Sequence, residues 1–196
     1  MINKTEIDRI MKTEGKVKGA VFQTDAEYIK RTLGLEKLNK IRELLNSWGY
    51  PMDYENTKAL EWFPAGLRAL SLLAIQSVAG LDDGQIKEMG NQAPKHSFIV
   101  RLLFNFFVSL KKLSQSAPEF WRRHWAAGKL EAGEFNEAGK YLTIIIKDLD
   151  LHPFFCKYEE GYLQRIAQYI NPSAKCQELK CTFRGGPHHE YRISWD

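Results

Sequence analysis

The chain has 196 residues, of which 44% are hydrophobic and 12% aromatic, enough to bury one substantial core and to exclude disorder along the whole length. Its net charge of +4 comes from 28 basic and 24 acidic residues. The basic residues fall in short pairs such as Lys30-Arg31, Lys111-Lys112 and Arg122-Arg123, not in the concentrated stripe that a nucleic-acid surface needs, so no nucleic-acid partner is expected.

The opening segment, MINKTEIDRIMKTEG, is charged and lacks the apolar core of a signal or transit peptide. Three cysteines, an odd number, without a secretion signal predict a reducing, cytoplasmic setting. Lys16 to Gln23 reads as a short strand or extended entry. Thr24 and Glu27 have capping-box spacing, which predicts a helix from Asp25 to Leu33 that stops at Gly34. A second helix follows, with Leu35, Leu38, Ile41, Leu45 and Trp48 on one face and Gly49 at its end. After a looser stretch, Pro64 opens an apolar helix, AGLRALSLLAIQSVAG, whose leucines surround most of its circumference. Such a helix belongs at the centre of the molecule.

Asp82 or Asp83 caps a short helix ending near Gly90. Ser97 caps another, with Phe98, Leu102, Leu103, Phe106 and Leu110 inward. This is the most apolar run of the chain, yet Arg101 and Asn105 interrupt it and it falls short of the ~20 residues that a bilayer span requires. Ser116 and Pro118 then start a helix in which Trp121, His124 and Trp125 share a face by three-and-four spacing. Two readings stand for that face. With Phe106, it walls an apolar pocket offering one polar handle to a hydrophobic ligand; or the indoles pack under a sheet while His124 bonds a backbone carbonyl.

The last third reads as strand (Tyr141 to Asp148), helix (from Pro153), strand, strand. A three-residue turn, Gly185-Gly186-Pro187, would oppose Phe183 to His189 and Cys181 to Tyr191. Alternation then turns Cys181, Phe183, His189, Tyr191, Ile193 and Trp195 inward and His188 outward. Cys156 lies on the stripe of the preceding helix, so two thiols and an imidazole can meet between helix and hairpin. That set suits zinc, while the alternative is two small buried thiols and a satisfied core histidine.

The segment from Cys156 to Trp195 resembles the end of the 4-vinyl reductase domain, a small-molecule-binding domain of bacterial sensors related to haem-based nitric oxide sensors and to a vesicle-tethering subunit fold. Cys156 opening a helix, Gly161-Tyr162 within it, Glu178-Leu179-Lys180-Cys181 on the next strand and Gly185-Gly186-Pro187-His188-His189 at the final turn carry the resemblance. It implies a zinc set of Cys156, Glu178, Cys181 and His189. Here His189 stands where the family has a cysteine and Gly186 where it has an aspartate. Strand parity sets Glu178 opposite Cys181, so only a bulge or bend between them would turn it inward. The resemblance also implies dimerisation through helices.

The expectations are therefore an α+β domain, with a mainly helical part at 1–139 and a strand-helix-hairpin part at 140–196. Its function would be to bind or sense a small hydrophobic or aromatic molecule, passing the signal to a protein partner, with structural zinc. The rival is a ligand-free adaptor that serves as an interaction scaffold. No phosphate-binding glycine loop, nucleophile elbow or paired-histidine helix is legible, and no catalytic residue is assigned. The haem sensors' Tyr-x-Ser-x-Arg motif is not matched by Tyr191-Arg192-Ile193-Ser194, so haem is not expected.

Overall fold

The computed structural model describes residues 2–97, 100 and 108–196. Helix α1 (Lys4–Met11) leads into strand β1 (Lys16–Lys18), α2 (Ala20–Thr32), α3 (Leu35–Ser47), β2 (Trp62–Pro64), α4 (Ala65–Ala79) and α5 (Asp83–His96). Then come α6 (Leu110–His124), β3 (Trp125–Ala126), β4 (Lys129–Asn136), β5 (Tyr141–Lys147), α7 (Pro153–Gln168), β6 (Lys175–Lys180) and β7 (His189–Ser194). Two antiparallel sheets result: a small one in the order β2-β1-β3, and a four-stranded one in the order β4-β5-β7-β6. The fold is α+β, as the sequence predicts.

Helix α4 is the hub. Every residue from Ala65 to Ile75 is buried, and Gly80 closes the helix in the left-handed conformation, with its N–H bonded to Gln76 O. One charge lies inside this apolar helix. The Arg68 guanidinium is forked onto Asp25 of α2, the Tyr158 hydroxyl of α7 donates to the same carboxylate at 3.1 Å, and the Tyr158 ring lies 4.4 Å from the guanidinium carbon. Burial alone would lower the Arg68 pKa, but the Asp25 carboxylate more than offsets it and the pKa is raised.

The sheet presents Leu142, Ile144 and Ile146 of β5 beside Ile193, Tyr191 and His189 of β7 on its buried face. Helix α7 covers that face. His152 caps it through Nδ1, which accepts from Phe154 N at 3.2 Å, and Pro153 occupies the first turn, where its missing N–H costs nothing.

Several boundaries differ from expectation. Helix α2 starts at Ala20, and Thr24 is an interior residue donating to Ala20 O at 2.8 Å. Helix α5 has the expected Asp82 cap, with the full capping box to Gln85, but runs on through Gly90 and Pro94 to His96. Helix α6 begins at Leu110 with Ser109 as its cap, so Pro118 lies inside it; Leu110, Leu113 and Trp121 continue one buried stripe through the proline. The expected helix from Ser97 falls mostly outside the described residues, and so does Phe106.

Candidate functional site

The larger correction concerns the last hairpin. Glu178 pairs with Tyr191 and Lys180 with Glu190, leaving Leu179 as an extra residue on β6. The chain between the strands is therefore longer than a three-residue turn. Thr182–Arg184 form a turn of 3-10 helix closed by Gly185 at φ 80°, a conformation natural to glycine. Phe183 and Cys181 are consequently not opposed to His189 and Tyr191, and Phe183 instead lies against the His189 ring at 5.8 Å.

The bulge at Leu179 changes the parity of everything beyond it. Cys176 and Glu178 face inward by ordinary alternation, and one extra residue returns Cys181 to the same side. Glu178, Cys181 and His189 are each buried, and Cys156 arrives from the first turns of α7. The four donor atoms lie within 4.8 Å of one another. Cys156 Sγ is 3.5 Å from His189 Nδ1 and 3.9 Å from Cys181 Sγ, and His189 Nδ1 is 3.3 Å from Glu178 Oε1. Zinc bonds of about 2.0–2.3 Å in a tetrahedron imply donor separations of roughly 3.3–3.8 Å; the Cys156–His189 and His189–Glu178 contacts fall within that spacing and the Cys156–Cys181 contact lies just beyond it.

Outer partners orient the donors. His189 Nε2 is 3.1 Å from Thr182 Oγ1, which leaves Nδ1 facing the thiols. Arg184 donates to Glu178 Oε2 at 2.8 Å. Burial opposes the Glu178 charge, but the hydrogen bonds from His189 and Arg184 prevail and its pKa is lowered. Burial, together with the nearby Glu178, raises the Cys156 thiol, and burial raises Cys181. A dry thiol pair beside a carboxylate resists ionisation unless a cation enters.

A second feature lies further along α7. A cavity of about 120 Å³ separates the sheet face from helices α2, α4 and α6. Trp121, His124 and Trp125 line it, as one reading of the sequence expects. The two indoles stack at 5.1 Å with their planes 9° apart, and Trp121 Nε1 donates to Ala127 O at 3.0 Å. His124 Nδ1 pairs with Phe120 O at 3.0 Å, the contact of the rival reading, while its Nε2 is buried without a hydrogen-bond partner among the described residues. Burial lowers the His124 pKa, so the ring is neutral, with Nδ1–H donating and Nε2 left as a buried acceptor without a partner among the described residues.

Sequence reasoning missed Arg68, Tyr158 and Glu159, which also line this cavity. One arginine inside an otherwise apolar helix was the available signal.

No family model matches the chain, and no curated protein matches it in sequence. Solved structures do match. An H-NOX protein from S. oneidensis in the Fe(II)NO ligation state shares 14% identity at a TM-score of 0.67, covering 91% of this chain and 99% of that one. An unliganded Fe(II) H-NOX mutant from K. algicida gives 13% and 0.65, covering 91% and 96%. An oxygen-binding H-NOX domain related to soluble guanylate cyclases, in its oxygen complex, gives 14% and 0.64, covering 91% and 95%. The chain has the fold of H-NOX domains. The expected 4-vinyl reductase membership gains no support from these matches, whereas the haem sensors named as its relatives do share the fold.

That likeness corrects the expectation that haem has no place here. The matched structures include a study of haem distortion in the H-NOX family and iron in defined ligation states, so the fold is one that carries haem in those proteins. The donor chemistry here suits haem in one respect: His124 Nε2 is a buried, unpartnered imidazole nitrogen on the cavity wall, the atom type that holds haem iron from one side. A macrocycle would require the walls to part, since about 120 Å³ is below the roughly 300–1,000 Å³ of a typical cofactor pocket.

Among the described residues no helix is long and apolar enough to cross a membrane.

Proposed function

We propose that the chain is a small-molecule sensing module. It takes a small hydrophobic molecule into the cavity between helices and sheet, and it uses zinc as a structural joint between α7 and the final hairpin. The observation that carries the ligand reading is the lone pair of His124 Nε2, held dry on an otherwise largely apolar wall. A buried polar atom without a partner costs about 1–3 kcal/mol, and a ligand carrying one N–H or O–H donor relieves that cost. The space is similar to the roughly 150 Å³ apolar cavity that accepts benzene in an engineered protein. Trp121 and Trp125 would supply apolar contacts.

The zinc reading rests on two thiols, an imidazole and a carboxylate brought together from three elements of the chain. Cys156, Glu178, Cys181 and His189 would be its ligands, and the metal would tie the helix that borders the cavity to the sheet edge. A cavity among aromatic walls favours this sensor over the ligand-free adaptor, which would need a filled interior. Output would pass through a protein partner, and a homodimer accords with the family resemblance.

A second reading of the same cavity follows from the same nitrogen. His124 would hold haem iron, with Trp121 and Trp125 against the porphyrin, and haem would supply binding of a diatomic gas.

Titration of the purified chain with benzene, followed by tryptophan fluorescence, tests the first reading, which requires a saturable change. Titration with haemin tests the second, which requires a sharp Soret band that His124→Ala removes. Native mass spectrometry before and after chelation tests the metal. Protein containing less than one equivalent of zinc when folded in its presence would end that part of the proposal.

A further inference from the structure

Glu159 is a second polar group on the cavity wall, and the ligand chemistry proposed above does not use it. It lies on α7, is 6% exposed, and has no hydrogen-bond partner among the described residues. The other charges on that wall cancel. Arg68 is forked onto Asp25, and that pair is satisfied further by Tyr158. When Glu159 ionises, the wall therefore carries one net negative charge with no protein cation committed to it. Four aromatic residues, Trp121, Trp125, Phe120 and Tyr162, line the same cavity. A carboxylate among aromatic rings is the arrangement that recognises ammonium groups, because the ring faces and the carboxylate both present negative potential.

Resting on the reading of the cavity as a ligand site, we propose that its ligand is a small organic ammonium ion. Glu159 accepts one N–H, neutral His124 Nε2 accepts another, and a short hydrocarbon body fills the apolar remainder. An alcohol of the same shape satisfies His124 but leaves the carboxylate without its cation.

Burial, moderated by Arg68, sets the Glu159 pKa at about 7, against an ordinary 4.5, so the empty site holds its proton near neutral pH and gives it up when a cation enters. The titratable groups around it are Arg68 with its partner Asp25, Tyr158, Tyr162 and His124, together with Cys176 and Tyr191 of the sheet. Asp25 and Arg68 remain an ion pair, burial raises the three tyrosines and the Cys176 thiol, and burial lowers His124. None of them supplies a competing charge near neutrality.

The test is calorimetric titration of the full chain at pH 7.5 with isobutylamine and isobutanol, with benzene as the neutral control for the cavity itself. A charge-assisted hydrogen bond predicts that the amine binds about tenfold more tightly than the alcohol. In Glu159→Gln that preference should fall to about twofold or less, while isobutanol and benzene bind as before. Benzene and isobutanol binding without an advantage for the amine, or an advantage that survives Glu159→Gln, would overturn the ammonium assignment and leave the cavity reading standing. Failure of all three probes to bind would overturn both.

Discussion

Gly161 of α7 rests directly on the backbone of Lys87 in α5: a Cβ at Gly161 would stand 1.8 Å from the Lys87 carbonyl oxygen. The contact is reciprocal, since a Cβ at Gly90 of α5 would stand 2.0 Å from the carbonyl oxygen of Tyr158 in α7. Two glycines thus set the closest crossing of the helices, and neither neighbour is a flexible side chain able to swing aside. Arg165 of α7 locks the crossing by donating to Asn91 O and Oδ1. Gly161→Ala and Gly90→Ala should each lower stability by about 3 kcal/mol or more, at or beyond the upper end of ordinary overpacking. For a domain of this size that is a fall in Tm of roughly 6–12 °C, read by thermal denaturation. A change within 1 °C would mean that the helices can slide apart freely.

Asp25 and Arg68 are both almost wholly buried, on α2 and α4. Removing one partner leaves a buried charge unpaired, which costs about 3–5 kcal/mol, whereas replacing both with apolar side chains of similar volume is often neutral. Asp25→Asn should therefore destabilise strongly, and Asp25→Leu combined with Arg68→Met should recover most of the loss. Urea denaturation of the single and double variants measures the difference. Equal losses in the two would show that the charges matter separately and not as a pair.

Much of this architecture was legible because it follows from local chemistry. The Pro64-to-Gly80 helix, the Tyr141 strand and the Pro153 helix carry their own start, stop and periodicity signals, and all three stand within a residue or two of expectation. The inward face of the last strand, with His189, Tyr191 and Ile193, was likewise readable from alternation. The failures were non-local. The bulge at Leu179 is a sheet-level event that two-residue periodicity cannot register, yet it is what turns Glu178 and Cys181 to one side. Pro118 reads as a helix start but sits inside α6, and Pro94 likewise lies inside α5, where tertiary packing overrides the local cost. Strand β4 was not seen, and Glu159 was not singled out because no pattern within the helix reveals which neighbours will surround it.

Thr182 offers a test of the donor cluster that leaves all four donors in place. Its hydroxyl oxygen is 3.1 Å from His189 Nε2 and fixes the ring so that Nδ1 faces Cys156. Partners of this kind typically contribute 10–100-fold to metal affinity by orienting the ligand and its tautomer. Thr182→Val keeps the shape and removes the hydroxyl. Zinc affinity, measured by competition with a chromophoric chelator, should fall by at least tenfold, whereas Thr182→Ser should restore most of it. If valine binds zinc as tightly as threonine, His189 is oriented by something else, and the nearby Asp150 carboxylate, 3.7 Å from Nε2, becomes the residue to change.

The stability of the chain should also carry the signature of Glu159. Its pKa is raised from 4.5 to about 7 by burial, with the Arg68 charge acting in the opposite direction. The folded state therefore holds this proton more tightly than the unfolded state. That contribution is fully present below about pH 4.5 and is lost as the pH rises to about 7, above which both states are ionised. A shift of this size corresponds to about 3 kcal/mol. Glu159→Gln removes the titration while keeping the shape, so the two proteins should have similar stability near pH 4.5, and the variant should gain on the native chain up to about pH 7 and hold that margin above it. His124 and His152, whose pKa values burial lowers, contribute in the opposite sense, losing stability as pH falls, but they do so in both proteins and cancel in the difference. Thermal denaturation of the pair between pH 4.5 and 8 measures that difference directly. Curves that stay parallel across the range would mean that Glu159 is solvated in the folded state, and that the cavity wall carries no buried charge.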